Sequence, residues 1–202
     1  MSVLELIAAY LRERARLRLF VPLSILLALT GQWMVPAPSM AFGSLGIAAL
    51  QALGLVLAFR IWDDLEDRDL DRIRRPTGVM AGARTTTPFH ALGFVLTSVA
   101  VLSLVAEPSA VQRLGALGIA TALLSIWYGV RPNDGGHRAV TEHVLATKYP
   151  LIAYAVAPEL PNGVVTLRAA IILGALYVLV CVYEYADDVE LRQLFTSRRS
   201  AS

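Results

Sequence analysis

The stretch that decides the fold covers residues 41–72 and reads AFGSLGIAALQALGLVLAFRIWDDLEDRDLDR. Its first part, as far as Trp62, is apolar for about 20 residues, the length of helix that crosses about 30 Å of hydrocarbon. Its second part, from Asp63 to Asp71, holds six carboxylates in nine residues. The stretch therefore predicts a membrane-spanning helix that ends in a dense acidic segment at one surface of the bilayer.

Other apolar runs of similar length recur along the chain. Apolar residues make up 56% of the 202 residues, whereas soluble domains usually contain about 45–50%. Backbone groups inside lipid must be hydrogen-bonded within their own segment, so each run is predicted to be a helix. The predicted fold is an all-α, polytopic membrane helical bundle with about six transmembrane helices. The predicted spans are residues 17–35, 41–62, 87–106, 111–130, 140–160 and 164–183.

The residues before the first span have a different pattern. Leu4, Ile7, Ala8 and Leu11 lie at helical spacing beside charged positions, which is typical of a helix that lies in the membrane interface. We predict a single domain over residues 1–202. It begins with an amphipathic interfacial helix at 1–16 and ends with a cytoplasmic tail at 190–202.

Positive charges are distributed unevenly among the predicted connections. With the spans counted alternately, one side receives 16 of the 18 Lys and Arg residues, and the other receives only Arg113 and Arg168. Because Lys and Arg are retained on the cytoplasmic side, we predict a multi-pass integral membrane protein with both termini in the cytoplasm. Membrane lipids are then expected partners, and no nucleic acid is expected.

The fifth predicted span differs from the others because it contains polar groups and prolines. Glu142, His143 and Lys148 lie in it, and Pro150 and Pro158 interrupt it. A lipid-facing helix would not tolerate these groups, whereas a broken helix beside a polar cavity would. The pattern favours a broken helix that faces into the bundle.

Ten of the 16 acidic residues lie in two clusters on the predicted cytoplasmic side. The first follows the second span, and the second, residues 184–190, follows the sixth span. In helices continued beyond the spans, the residues that share a face are Asp64, Asp67 and Asp71 in the first cluster and Glu184 and Asp188 in the second. Both clusters therefore present carboxylates to the same side of the membrane.

Stacked like charges at a helix C-terminus are unfavourable unless something neutralises them. Magnesium would do so, because Mg²⁺ prefers one or two carboxylates, several waters and substrate phosphate oxygens. The alternative is that arginines of the same loop, such as Arg68 and Arg72, pair with the aspartates. The presence of two clusters on one predicted face favours the metal.

The first cluster also resembles a family signature. Residues 60–72, RIWDDLEDRDLDR, are similar to the first motif of the UbiA prenyltransferase superfamily, an Asn or Asp followed by D-x-x-D-x-x-x-D after the second span. Asp63, Asp64, Asp67 and Asp71 match its acidic positions. The pair Arg75-Pro76 is similar to the continuation of that motif.

Two further segments carry the resemblance. Glu184-x-x-x-Asp188 stands where the family has a D-x-x-x-D motif after its sixth span. Tyr128 and the later Lys148 look like the family's loop after the fourth span, in which a lysine contacts diphosphate. The resemblance covers most of the chain.

The resemblance implies an Mg²⁺-dependent prenyltransferase that moves an isoprenyl group, an alkyl group other than methyl, from an allylic prenyl diphosphate to a small lipophilic acceptor. The implied catalytic residues are Asp64, Asp67, Asp71 and Asp188. The implied metal ligands are Asp63, Asp64, Asp67, Asp71, Glu184, Asp187 and Asp188. The implied substrate-binding residues are Arg72, Arg75, Lys148 and Tyr128.

Two features depart from the family pattern. Glu184 stands in place of an aspartate, and members of the family usually have more than six spans. A homodimer would be one way to complete the wall of the bundle. Two other functions stay open, namely a UbiA-like terpene cyclase that captures its carbocation internally and a non-catalytic isoprenoid-binding membrane subunit.

Overall fold

The computed structural model describes residues 2–14, 17–35, 42–74, 76–107, 109–131, 138–158 and 166–187. These residues form helices joined by short connections, without strands, which confirms the predicted all-α class for this part of the chain. The helices are α1 (Val3–Arg14), α2 (Leu17–Trp33), α3 (Phe42–Glu66), α4 (Arg68–Arg74), α5 (Val79–Gly82), α6 (Thr87–Val105), α7 (Ala110–Val130), α8 (Arg138–Ala146), α9 (Lys148–Ala155) and α10 (Leu167–Asp187). The predicted tail at 190–202 lies outside the described residues.

Three of these helices, α3, α6 and α7, are long and apolar enough to cross a membrane. They correspond to the predicted spans at 41–62, 87–106 and 111–130. Helix α2 meets the same criteria only when it is joined to α1 as one bent span, and the apolar part of α10, Leu167–Tyr183, is shorter. The chain is therefore a membrane protein by the length and composition of its helices, and the count of six spans stays a prediction.

Apolar side chains cover much of the outer surface of the bundle. Broad patches of such side chains promote aggregation in water, but they suit contact with lipid tails. Exposed examples on α3, α6, α7 and α10 are Ile47, Leu50, Phe94, Val99, Leu102, Ile119, Ile126, Ile171 and Val178. Their position on the long apolar helices agrees with a membrane location.

The fifth predicted span is two short helices, α8 and α9, with the break at Thr147. The prediction of a broken helix is confirmed, and the single span at 140–160 is corrected to two segments. Pro150 falls in the first turn of α9, where backbone amides have no partner inside the helix and proline is tolerated. The break therefore precedes the proline and lies beside Lys148.

Helix α9 occupies the centre of the bundle, in contact with α2, α3, α7 and α10. Ile152 and Ala153 have no exposed surface. A Cβ atom added to Gly31 of α2 would lie 2.9 Å from the Ala153 carbonyl oxygen and 3.1 Å from Ala157 Cα. Small residues at helix contacts in membranes allow backbones to approach closely, so Gly31 fixes α9 against α2.

Helix α1 corresponds to the predicted interfacial helix at 1–16, of which the structure describes Ser2 to Arg14. It packs against α5 and α6. Tyr10 is 1% exposed, and its ring lies 5.1 Å from that of Phe89, centroid to centroid. This contact places α1 over the end of α3 that carries the aspartates.

Candidate functional site

The aspartate segment continues helically beyond α3. Asp67 lies in the turn between α3 and α4, yet its amide donates to the Asp63 carbonyl at 2.9 Å, and the Asp71 amide donates to the Asp67 carbonyl at 2.8 Å. The i to i−4 pattern is thus kept across the turn. Asp64, Asp67 and Asp71 share one helical face, as the spacing predicted.

Asp63 is bound by two residues that are distant in sequence. The Tyr128 hydroxyl of α7 donates to Asp63 Oδ1 at 2.6 Å, and Lys148 Nζ of α9 pairs with Asp63 Oδ2. Asp63 and Lys148 are each 5% exposed. Lys148 is also the only lysine in the sequence. The structure therefore brings together three residues that the sequence placed in one site.

Asp64 is surrounded by a second set of donors. Arg60, one turn earlier on α3, places Nη2 3.1 Å from Asp64 Oδ1. The Tyr10 hydroxyl donates to Asp64 Oδ2 at 2.8 Å, and Arg14 Nε lies 3.9 Å from the same oxygen. Burial and the neighbouring carboxylate raise the pKa of the Tyr10 hydroxyl, so Tyr10 stays protonated and acts as a donor.

The remaining two aspartates of the face are also paired. Arg131 Nη1 lies 2.7 Å from Asp67 Oδ1, and the Arg131 guanidinium lies 4.5 Å from the centre of the Tyr128 ring. Asp71 pairs with Arg14 Nη2. Burial raises the pKa of the Asp67 carboxyl, and Arg131 opposes this rise. Four carboxylates therefore face four cations, so the charges of these eight side chains balance.

The two arginines of the aspartate loop whose side chains are described, Arg68 and Arg72, contact partners other than Asp63, Asp64, Asp67 and Asp71. Arg68 donates to the carbonyls of Met80 at 3.3 Å and Ala83 at 2.5 Å. Arg72, predicted to bind substrate, instead pairs with Asp69 at 3.1 Å and donates to a carbonyl of α5. The alternative in which loop arginines pair with the aspartates therefore holds for Arg72 and Asp69, whereas Arg68 contacts backbone carbonyls and the aspartates of the face pair with arginines from other segments.

Four residues of the site were missing from the predicted site residues: Tyr10, Arg14, Arg60 and Arg131. Arg60 had its one-turn spacing from Asp64 as a signal, whereas the only sequence signal for Arg14 and Arg131 was their position on the predicted cytoplasmic side. Many arginines share that position, so charge distribution alone could not single them out.

A cavity of about 610 Å³ opens beside this charged cluster. Arg14, Arg60 and Lys148 line its polar end, together with Glu13. Helices α2, α3 and α10 supply its apolar walls, which are lined by Leu19, Phe20, Leu23, Leu26, Val56, Leu179 and Val180. The cavity therefore joins a cationic end to an apolar chamber.

The second acidic cluster begins at the rim of the same cavity. Tyr183 lines the cavity, and Glu184 follows it on α10. The side chains of Glu184 and Asp187, and the whole of Asp188 and Arg75, lie outside the described residues. The structure thus places α10, as far as Tyr183, at the same cavity as Arg60 and Lys148.

No family model, curated protein or solved structure matches the chain. Function therefore rests on the geometry of the site.

Magnesium suits this site by the type of donor, since carboxylate oxygens are the ligands it prefers. Among the described side chains, however, no three His, Cys, Asp or Glu residues converge to hold an ion. The reason is visible in the geometry, because Asp63, Asp64, Asp67 and Asp71 each face a cation of the chain. Mg²⁺ would bind these aspartates only if those cations took another partner.

The arrangement suits an amphipathic anion. Arg and Lys bind phosphate groups through charge-assisted hydrogen bonds. An apolar tail would enter the chamber formed by α2 and α10, while the anionic head would meet Arg14, Arg60 and Lys148.

Proposed function

We propose that the chain is an intramembrane prenyltransferase that transfers an isoprenyl group from an allylic prenyl diphosphate to a small lipophilic acceptor with the help of Mg²⁺. One observation carries the proposal. Asp63 meets Tyr128 and Lys148, although these residues come from three different helices, and Lys148 also lines the polar end of an apolar cavity. The resemblance of residues 60–72 to the UbiA superfamily supports the same function.

The size and lining of the cavity support this class of substrate. Small-molecule sites usually occupy about 300–1,000 Å³ and combine apolar walls with a few polar groups, and the cavity of about 610 Å³ has both features. Its cations bind the diphosphate, and its leucine and valine walls take the isoprenoid tail. Lipid on the outside of the bundle supplies the lipophilic acceptor.

Substrate binding exchanges the partners of the charged residues. Arg14, Arg60 and Lys148 turn from the aspartates to the diphosphate oxygens. Asp63, Asp64, Asp67 and Asp71 are then free to hold magnesium. Bound Mg²⁺ supplies positive charge that stabilises the departing diphosphate.

The reaction breaks the bond between the allylic carbon and the diphosphate oxygen, and the electron pair leaves with the oxygen. Lys148 and Arg60 stabilise the negative charge that develops on the leaving group. The acceptor supplies the electron pair of the new bond to carbon and then loses a proton. The apolar walls exclude water, which would otherwise capture the carbocation.

The finer topology belongs to the same proposal. The bundle crosses the membrane six times, with α8 and α9 as the broken fifth span and α1 in the cytoplasmic interface. The aspartates, Arg14, Arg60, Arg131 and Lys148 gather at one end of the bundle, and Arg113 lies at the other, which supports both termini in the cytoplasm. A homodimer would extend the wall of the bundle.

One observation favours a second candidate function. Because each of the four aspartates already faces a cation, the site is charge-balanced without a metal. That state suits a membrane subunit that binds an isoprenoid diphosphate and does not turn it over. A terpene cyclase would use the same diphosphate chemistry and capture the cation internally.

Incubation of the purified chain with labelled geranylgeranyl or farnesyl diphosphate, in lipid extract with and without Mg²⁺, separates these functions. Prenylated acceptor formed only with Mg²⁺ is the expected result. A cyclic hydrocarbon or alcohol would identify a cyclase, and tight binding without any product would identify a binding subunit.

A matched pair of variants tests the residues. Lys148→Met removes the only lysine and is expected to abolish product formation, because the diphosphate loses its deepest cation. Arg168→Met removes a cation from an exposed position at the start of α10 and is expected to leave product formation unchanged. Equal activity in both variants would contradict the assigned site.

A further inference from the structure

A second hollow opens on another face of α3 from the charged cavity. It has a volume of about 500 Å³ and lies between α3, α6 and α7, so we call it the α3–α6–α7 groove. Leu55, Phe59 and Trp62 line it at the i, i+4 and i+7 positions of one helical face. The charged cavity is lined by Val56 and Arg60 of α3. Helix α3 therefore separates the two hollows.

Asp63 stands at the border between these two faces of α3. It follows Phe59 of the groove by four residues and Arg60 of the charged cavity by three, so each of them is about one turn away. The Tyr128 hydroxyl donates to Asp63, and the Tyr128 ring lies 5.8 Å from that of Trp62, centroid to centroid. A molecule at the Trp62 end of the groove would therefore lie close to Tyr128 and Asp63.

Three hydroxyl groups line the groove, whose other lining residues are mainly apolar. They belong to Thr97 of α6 and to Thr121 and Ser125 of α7, and the last two lie one turn apart. Thr97 and Thr121 stand near the middle of helices that are long and apolar enough to cross a membrane. Because water is scarce at that depth, an unpaired hydroxyl there is unfavourable.

Other hydroxyls in the long helices show the usual way of avoiding this cost. Ser24 donates to the Phe20 carbonyl and Ser103 donates to the Ala100 carbonyl, both at 2.7 Å. Within the part of the chain that the structure describes, the three hydroxyls of the groove make no such bond and have no other hydrogen-bond partner. They are therefore available to a molecule that enters the groove.

The lining determines which kind of molecule fits the groove. Small-molecule sites usually occupy about 300–1,000 Å³ and combine apolar walls with a few polar groups, and the groove has both features. A lipid acyl tail has no polar atom to offer to the hydroxyls. A molecule with its own hydroxyl or carbonyl can pair with them, because a hydroxyl both donates and accepts. The stacked rings of Phe59 and Trp62 add apolar contact.

We propose that the α3–α6–α7 groove is a second ligand site, which binds a membrane-soluble molecule with a hydroxyl or carbonyl group through Thr97, Thr121 and Ser125. That this molecule is the prenyl acceptor rests on the proposed function. Under that function, the diphosphate and the acceptor approach Asp63 from different faces of α3. Binding in the groove does not depend on the reaction and is measurable without any diphosphate.

The first test compares two probes that differ by one hydroxyl, dibromophenol and dibromobenzene. Bromine quenches tryptophan fluorescence on contact, and Trp33→Phe with Trp127→Phe leaves Trp62 as the only tryptophan of the purified full-length chain. Dibromophenol is expected to quench Trp62 at the lower concentration. In Thr121→Val with Ser125→Ala, its advantage over dibromobenzene is expected to fall about three- to tenfold, because hydrogen bonds to the phenol are lost.

Ser103→Ala is the matched control, because it removes a hydroxyl of α6 that donates within its own helix and does not line the groove. It is expected to leave the advantage of dibromophenol unchanged. The same advantage in every variant would overturn the site. A chain that elutes as a dimer and excludes both probes would also overturn it, since a helix of a second copy would then fill the groove.

Prenyl transfer in serial dilutions of lipid extract relates the groove to the proposed reaction. Thr121→Val with Ser125→Ala is expected to raise the amount of extract needed for the half-maximal rate about three- to tenfold. Affinity for a prenyl thiolodiphosphate should stay unchanged, because Arg60 and Lys148 are intact.

The outcomes of this second test separate the groove from the reaction. An equal loss of affinity for the thiolodiphosphate would contradict separate faces for the two ligands. An unchanged requirement for extract would reject the acceptor as the ligand of the groove. Selective quenching by dibromophenol in a chain that forms no prenylated product would keep the groove and reject the transferase.

Discussion

The two ends of the bundle each bury a cationic side chain, and they do so in different ways. At one end, Lys148 is 5% exposed, pairs with Asp63 and lines a cavity. At the other, Arg113 is 1% exposed and donates to Ser109 Oγ and the Pro158 carbonyl, both at 2.9 Å. Its contact with the Glu107 carboxylate is 4.0 Å long.

The two cations differ in whether their binding partners can be exchanged for others. Arg113 is bound by a backbone carbonyl and a hydroxyl of the turn that joins helices, and these partners have no alternative use. Lys148 is bound by the Asp63 carboxylate, which we propose as a metal ligand, and it borders a cavity. A buried charge therefore indicates a binding site only when its partner is exchangeable and a cavity adjoins it.

The largest loss of activity is expected at the end of the bundle that contains Lys148, where the ion-pair partners can be exchanged. Asp67→Asn removes a carboxylate of the acidic face while keeping its shape. Prenyl transfer is expected to fall about a hundredfold or more, since even indirect disturbance of a metal site costs about 10–100-fold. Initial rates with labelled prenyl diphosphate measure this loss. Activity near that of the unaltered chain would remove Asp67 from the site.

Arg113→Met should give the converse result. It leaves the Pro158 carbonyl without its donor, which costs about 1–3 kcal/mol for a buried group, while turnover per folded molecule stays unchanged. Thermal unfolding in detergent and active-site-normalised rates measure the two quantities. A variant with full stability and lost turnover would contradict the conclusion that the two ends of the bundle differ in function.

The next effect tests the packing that holds α9 in place. Gly31→Ala puts a Cβ 2.9 Å from the Ala153 carbonyl, and such overpacking costs about 1–3 kcal/mol. Gly174→Ala is its control, because a Cβ at Gly174 in α10 meets no atom within 4 Å, and the change should stabilise the helix by roughly 0.5–1 kcal/mol. Opposite shifts in melting temperature are the expected outcome.

The smallest effect is the pH dependence of Asp67. Its folded pKa is raised by burial, so its contribution to stability is greatest at low pH and is lost as pH rises through the folded pKa. The Asp67→Asn variant has no titratable group at this position. The melting temperature of Asp67→Asn minus that of the unaltered chain should therefore increase from about pH 4 to about pH 7. A decrease over that range would show that pairing with Arg131 outweighs burial.

Parts of this site could be predicted because local spacing determines them. Asp64, Asp67 and Asp71 share a face because the helix continues beyond the span, and the polar residues and prolines near Lys148 favoured a broken helix. The exact break at Thr147 was not predicted, although Pro150 has no amide to donate to the carbonyl of Ala146, four residues earlier, where α8 ends.

The residues that pair with the aspartates were harder to predict from the sequence. Arg60 could be paired with Asp64 from its one-turn spacing alone. Arg14, Tyr10 and Arg131 reach the site because α1 folds over α3 and α7 ends beside it. Those contacts arise between segments more than 50 residues apart, and no local pattern encodes them.

The central claim is that carboxylates and cations at the Lys148 end exchange partners around a metal-bound anion. The most direct test is the affinity for a non-hydrolysable prenyl thiolodiphosphate, measured by calorimetry with and without Mg²⁺. The expected result is binding that is about tenfold or more tighter with Mg²⁺, and that is weakened strongly by Lys148→Met but not by Arg168→Met. Affinity that is the same with and without the metal, or unaffected by loss of Lys148, would contradict it.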